Sequence, residues 1–596
     1  MKIYCNPLNL PYRYQFFQQV GVNKVKASRE GADPSLVLFN GMYYLFPSMT
    51  AGFFSSEDMV DWILHPYPPN IPMYDYAPDV RVVGKYLYFA ASKLSDECSF
   101  FRTIDPRQGF FEEIKGTFSF FDPNLFEDDD GKLYFYWGCS NSTPIWGVEL
   151  EADTMKPVGE KRELIRANEC DNGFERSGDN HVPPKTPEMI EAAVLETGKL
   201  FFGASSIDQI PAEAAKMVRQ AMGNDTYIEG PWMTKYNDAY YLQYANTGTQ
   251  FNVYSDGVYV SKSPLGPFSL AKSNPFSYKP GGFINGAGHG STFEDRSGQH
   301  WHVSTMRISI NHQFERRVGL WRAGFDDEGE LFCDQRYGDW PTKMDGKVWD
   351  EPEWMLLSYK KKVKVSSGKD EACITDENIR TWWKAASKQR GQWAEVDLGK
   401  PSQIHAIQIN FADDSLELPI PQDAIFAGET DKRIIDQTSH ATRWYLEGSV
   451  DGKHYFLLAD KSEVMTDLPH DLVVIEEGRT CRYVRLTILQ LPYDQPPCIS
   501  GLRVFGKSEG LRPDQVKIES ARRISDLDAV ITWRAQRAVG FNVIWGHSPD
   551  KLYHSHMVLD SCEIPIRALI KDEPVFVRVD AFNECGITEG NVQEVL

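Results

Sequence analysis

The 596-residue chain is 42% hydrophobic and 25% charged, which fits packed globular domains, excludes long-range disorder and, at this length, implies three or more domains. Its 63 Lys and Arg against 84 Asp and Glu leave a formal net charge of −21, so nucleic acid and anionic membranes are excluded as partners. The 13% aromatic content suits β-strands and sugar stacking alike, and composition does not choose between them.

At the start, Met1-Lys2-Ile3-Tyr4-Cys5-Asn6-Pro7 has no apolar core of a secretory signal. No run of about 18 apolar residues follows anywhere, so no membrane span is expected. The ten cysteines show neither metal-type spacing nor a dense framework, and most of them read as buried thiols. A cytoplasmic location is expected for the chain as given, the alternative being a periplasmic or secreted protein whose signal has been removed. Protein partners are not legible.

A repeat then occupies the first 345 residues: an acidic or polar residue beside Pro or Gly, a strand, a tight turn and an aromatic-rich strand. Asp33-Pro34 leads into Ser35–Phe39, Asn40-Gly41 and Met42–Phe46. Pro78-Asp79 leads into Val80–Val83, Gly84-Lys85 and Tyr86–Ala90. Asp122-Pro123 precedes the hairpin that turns at Asp129-Asp130-Gly131-Lys132, and Glu229-Gly230-Pro231 the one that turns at Asn237-Asp238. Gly288-His289-Gly290 precedes the fifth, turning at Ser297-Gly298. Short alternating runs around Asn-Gly, Asp-Gly and Ser-Gly are hairpin signals, and five of them with little helical periodicity between predict a closed ring of small sheets, a five-bladed β-propeller. In that ring Asp33, Asp79, Asp122, Glu229 and His289 converge at one end of the axis. Four carboxylates and a histidine in one funnel are costly unless function requires them. The Asp128-Asp129-Asp130-Gly131 run reads as a hairpin tip. Residues 140–228 interrupt the repeat, and Pro211–Met222 with Gly223 beyond it predicts a helix, either a wall of the funnel or an external filler.

With these residues the chain resembles glycoside hydrolase family 43. The matching motifs, in order, are Ala32-Asp33-Pro34, Ala77-Pro78-Asp79, Asp122-Pro123, Glu229-Gly230-Pro231 and Gly288-His289-Gly290-Ser291. Tyr76 stands where the family often has Trp, and Trp232 where it often has His. The resemblance implies inverting hydrolysis of a glycosidic bond, with Asp33 as general base, Glu229 as general acid and Asp122 tuning and orienting that acid. It places Asp79, Tyr76, Trp232, His289 and Arg316 among the substrate contacts, with Arg317 competing for the role of Arg316. It also offers His289 as a ligand, through waters, of a structural calcium ion on the axis; no organic cofactor is implied. The expected activity is exo-acting removal of a terminal pentose, α-L-arabinofuranose first, from plant poly- or oligosaccharides. The alternatives are a β-D-xylosidase and a non-catalytic carbohydrate-binding propeller.

Residues 346–508, with Gln392–Gly399, Glu447–Gly452, Cys481–Leu486 and Ile499–Gly506, resemble a discoidin-type jelly-roll β-sandwich, which either binds sugar or buttresses the propeller. Residues 509–596 resemble a fibronectin type III sandwich of immunoglobulin-like form, with Trp533 in its core. The expected fold is therefore all-β throughout.

Overall fold

The computed structural model describes residues 1–17, 25–71, 76–92, 97–176, 185–419, 425–427 and 433–596; among the candidates above, the Tyr76 side chain lies outside the described residues. Five antiparallel sheets follow one another in chain order. The first blade is Ala32–Phe39, Met42–Ser48, Gly52–Ser56 and Ile63–Pro66. The second is Tyr76–Val83, Tyr86–Ser92, Phe100–Thr103 and Glu112–Ile114. The third is Pro123–Glu127, Leu133–Trp137, Ile145–Leu150 and Pro157–Ile165. The fourth comprises Ile228–Tyr236, Ala239–Asn246, Ser255–Ser261 and Ser269–Leu270, with Cys139–Ser140 added beside its first strand. The fifth is Asn285–Glu294, His300–Arg307, Arg316–Phe325 and Leu331–Cys333. Aromatic pairs predicted for the blade strands fill the spaces between sheets: Tyr43, Tyr44, Phe89 and Phe135 are all buried.

The repeat has a finer register than the sequence revealed. Each blade carries one left-handed residue at its motif: Asp33 (φ 47°), Ala77 (φ 45°), Asp122 (φ 51°), Gly230 (φ 54°) and His289 (φ 52°). In four blades a register shift lies at this point. Such bulges bend a strand and re-aim its side chains. Two places further on, a side chain ties its blade to the next. Asp79 accepts from Leu125 N–H (2.7 Å), Asn124 from Met233 N–H (2.8 Å) and Ser291 from Leu36 N–H (3.1 Å), while Trp232 donates Nε1–H to the Thr292 carbonyl (3.0 Å). The ring therefore closes through backbone groups that would otherwise be buried and unpaired. The N-terminal segment runs along the fifth blade, where Asn6 pairs with both backbone groups of Leu320.

The insertion holds two helices, Pro187–Phe202 and Ala212–Ala221, where the sequence reading identified only the second. The first carries full signals: Thr186 caps it, Pro187 opens it and Gly203 ends it in the left-handed region. Asn141 donates to the Gln220 carbonyl, which puts the end of the second helix beside the strand Cys139–Ser140. Neither helix is long and apolar enough to cross a membrane, and the same holds for every helix among the described residues.

The jelly roll is built on two long strands, Gln392–Phe411 and His470–Gln490, paired to each other and flanked by Cys498–Lys507 and Arg443–Ser449. The last domain pairs Lys517–Arg523, Ala529–Arg534 and Glu563–Ile566 in one sheet. Its second sheet contains His554–Leu559, Gly540–Gly546, Phe576–Asn583 and Gly586–Thr588, and Trp533 is buried between the two. Short strands from the jelly roll, Leu416–Leu418 and Arg433–Ile435, join the propeller's Arg13–Phe17 and Val25–Glu30 in one sheet. Behind that sheet Arg29, almost fully buried, holds Asp413 (2.6 Å) and Asp467 (2.8 and 3.0 Å) of the jelly roll. Next in space, Arg317 donates to His470 Nε2 (2.8 Å). Burial, then Arg317 and Arg29, push the His470 pKa well down, so the ring is neutral and can accept. The jelly roll thus buttresses the propeller through buried charge. Replacing Asp467 by Asn removes one of the two carboxylates on the buried Arg29 and leaves Asp413, so it should cost ~1.5–3 kcal/mol. Urea unfolding of the whole chain measures this, and an unchanged midpoint would contradict a stabilising role for the cluster.

Candidate active site

Asp33, Asp122 and His289 are brought together because each sits at the left-handed position of its blade, and Glu229 joins them one residue before that of the fourth. His289 is the centre: its Nδ1 lies 3.6 Å from Asp33 Oδ1 and 3.8 Å from Asp122 Oδ2. Burial opposes its charged form, but Asp33, Asp122, Glu229 and Asp256 outweigh burial and raise its pKa. Asp256 fixes the segment by accepting from His289 N–H (2.7 Å) and Gly290 N–H (3.1 Å).

Asp33 has every oxygen engaged. Ser48 donates to Oδ2 (2.8 Å), and Arg316 Nη1 reaches Oδ1 and Oδ2 at 3.0 and 3.2 Å. Arg316 is itself held by Glu30 (2.7 Å), and Asp33 and Glu30 keep it charged against the cost of burial. Between the two adjacent arginines, then, the structure puts Arg316 on Asp33 and sends Arg317 to the jelly roll.

Glu229 is clamped on both oxygens, by Tyr254 O–H on Oε1 (2.6 Å) and by Cys139 Sγ on Oε2 (3.3 Å). Ligand atoms of Asp122, Cys139 and Glu229 lie within 4.8 Å of one another. Burial pushes Asp122 up to about 7, with Glu229 and Asp33 adding to the shift and His289 and the Gly230 N–H opposing it. Asp122 therefore holds its proton more strongly than an ordinary carboxyl does, with a second acid close beside it. The sequence resemblance gives the functional proton to Glu229, while the electrostatics raise Asp122.

Gly230 makes this packing possible. It has φ 54°, and a Cβ there would come within 2.6 Å of the His289 ring. Gly230→Ala therefore combines backbone strain with displacement of His289, and kcat should fall ~10–100-fold because small misplacements are that costly. Steady-state kinetics on a folded variant would show it; wild-type kcat would mean that the His289 position is not critical.

Asp79 and Trp232 do not join this cluster. Asp79 is buried, takes Asn124 Nδ2 (2.9 Å) and Leu125 N–H, and is raised to about 6 by burial, with Arg81, Leu125 and Asn124 opposing. Trp232 is buried under Arg81, whose guanidinium lies 3.5 Å from the ring centre. Both serve as links between blades, because the bulge in the second blade places Ala77, not Asp79, in register with Asp33. The contacts of His289 do not suit direct ligation of calcium, whereas the expected calcium ion is one held through waters. Its Nδ1 faces two carboxylates and its proton is favoured, and a protonated ring offers no lone pair. The other cluster of donor atoms, around Cys139, pairs a protonated thiol with two acids, a poor set for a hard cation.

Residues not singled out in the sequence are Ser48, Thr305, Tyr254, Glu30, Asp256 and Cys139. A partial signal existed: the second strands carry Ser48, Ser92 and Thr305 at or near their ends. Their hydroxyls accept from Ala77 N–H (2.7 Å), Asp122 N–H (2.8 Å) and Asp33 N–H (2.8 Å) of the next blade.

Comparison with known proteins gives the same picture. The family model described as "Glycosyl hydrolases family 43" matches residues 24–195 and 206–331. "Xylosidase/arabinosidase 43A" of Humicola insolens is 30% identical over 278 residues, covering 40% of this chain and 78% of the relative. "Beta-D-galactofuranosidase xynD" of Aspergillus niger is 24% identical over 339 residues, covering 50% and 81%. A solved structure described as "Bacteroides ovatus Xyloglucan PUL GH43B" is 15% identical and covers 100% of this chain and 98% of that one, with a TM-score of 0.40.

Proposed function

The chain belongs to glycosyl hydrolase family 43, and from that premise we propose that it releases terminal pentose, α-L-arabinofuranose first, from plant poly- or oligosaccharides by a single inverting displacement. One observation supports this above the others. Asp33 and Asp122 flank the same imidazole, the first bound to a guanidinium, the second with its ligand atom within 4.8 Å of that of Glu229.

That asymmetry suits a divided task. A general base must be ionised and a general acid protonated at the same pH, which requires different surroundings for each. Arg316 compensates the charge of Asp33, which takes a proton from water as the water attacks the anomeric carbon. Glu229 gives its proton to the departing oxygen, and Asp122 disfavours premature loss of that proton. His289, near both groups, offsets the negative charge left on the pair and helps hold the sugar, together with Arg316. The two protons moved are then exchanged with solvent, which restores the starting state.

β-D-Xylose is the second reading, favoured by the name of the Humicola insolens relative, which couples both sugars. Initial rates on aryl α-L-arabinofuranoside, β-D-xyloside and β-D-galactofuranoside separate these readings. The arabinofuranoside should be fastest. A faster xyloside or galactofuranoside would reassign the sugar, and no turnover of any would contradict the proposed substrate class.

A further inference from the structure

The second strand of the third blade ends at Trp137, and Gly138 then turns the chain with φ 154°. A Cβ at Gly138 would meet the Ile145 side chain at 2.9 Å and the Pro144 carbonyl at 3.0 Å, so the tight crossing requires glycine. Beyond it Cys139 pairs directly opposite Glu229 in the fourth blade. At Ser48, Ser92 and Thr305, in the second strands of the first, second and fifth blades, a hydroxyl accepts from the next blade's backbone. In the third blade that register position is Gly138, which has no side chain, and the thiol of Cys139, one residue on, meets an acid side chain instead.

We propose that Cys139 is a positioning residue for the general acid: its S–H donates to Glu229 Oε2, fixes the carboxyl plane together with Tyr254 on Oε1, and sets the pH at which the acid is lost. The inference rests on Glu229 being that acid. The thiol is a donor and not a thiolate, since burial first, then Asp122 and Glu229, push its pKa well up. The other groups facing Glu229 are Asp122 and Asp33, which repel its charge, His289, which attracts it, and the phenols of Tyr254 and Tyr227. Cys139 also reaches Asp122, so its donor stabilises negative charge on both acids and its loss acts on them in the same direction. A hydrogen bond to an ionised carboxylate favours ionisation, so losing the donor should keep the acid protonated to higher pH, and strengthening it should do the reverse.

The test is the pH profile of kcat/KM for Cys139→Ala and Cys139→Ser in the full chain, with a substrate whose leaving group is a sugar. The alkaline limb should move up by about half a pH unit in the Ala variant and down in the Ser variant, where the hydroxyl is the stronger donor. At the optimum the Ala variant should lose about 3–10-fold on this substrate and less than about 2-fold on a 2,4-dinitrophenyl glycoside, which needs no acid. Limbs that superimpose on the parent, or that move in the same direction, would overturn the proposal, even if thermal stability drops. Glu229→Gln run alongside separates the two claims: if it retains full activity the acid assignment has failed, and if it is inactive while the Cys139 limbs stay fixed, only the role of Cys139 has failed.

Discussion

Glu229→Gln should lower kcat about 1,000-fold or more on a substrate with a sugar leaving group, yet far less on a 2,4-dinitrophenyl glycoside. The reason is chemical. A sugar alkoxide cannot depart without a proton, whereas dinitrophenolate is stable without one. Gln is nearly isosteric with Glu: its carbonyl oxygen can accept from one of Tyr254 and Cys139 while its N–H₂ faces the oxygen or sulfur of the other, so substrate binding should survive. Parallel kcat and KM measurements on the two substrates read this directly. Equal losses on both would mean that Glu229 does something other than protonate the leaving group.

Asp33→Asn should show the complementary pattern: a loss of about 1,000-fold or more that does not depend on the leaving group, because water must be deprotonated in either case. The amide can keep the contact with Ser48 through its oxygen, but its N–H₂ faces the Arg316 guanidinium, so one of the two Arg316 contacts turns repulsive. Binding of the product sugar, followed by calorimetry, should change little by comparison. A variant that keeps a tenth or more of wild-type kcat would exclude Asp33 as the base.

These four residues were legible for a structural reason. Asp33, Asp122 and His289 occupy a left-handed backbone position, and Glu229 precedes one, so local motifs of Asp-Pro, Glu-Gly-Pro and Gly-His-Gly mark them wherever the strand bulges. The same reasoning misaligned the second blade. In Ala77-Pro78-Asp79 the acid stands two places past the bulge, where its role is to join blades. Trp232 stands at that same offset in the fourth blade. Hairpin turns such as Asn40-Gly41 made the blades readable because both residues have positive φ.

What depends on distant pairing was not readable. Arg29 and Asp413 are 384 residues apart, and nothing local in either announces an ion pair or the sheet shared by propeller and jelly roll. Cys139 resembles any partly buried thiol until Gly138 is seen to carry it across to the next blade. Arg316 and Arg317 alternate along one strand, and only the packing on each face tells which meets Asp33.

The account turns on water attacking from the Asp33 side while the leaving oxygen departs on the side of Glu229. That stereochemistry is visible in the first sugar released, before mutarotation. Proton NMR of the anomeric region during hydrolysis of an aryl α-L-arabinofuranoside should show β-L-arabinofuranose appearing first, or the α-anomer first from a β-D-xyloside. First appearance of the retained anomer would mean a covalent intermediate and would contradict the roles given to Asp33 and Glu229.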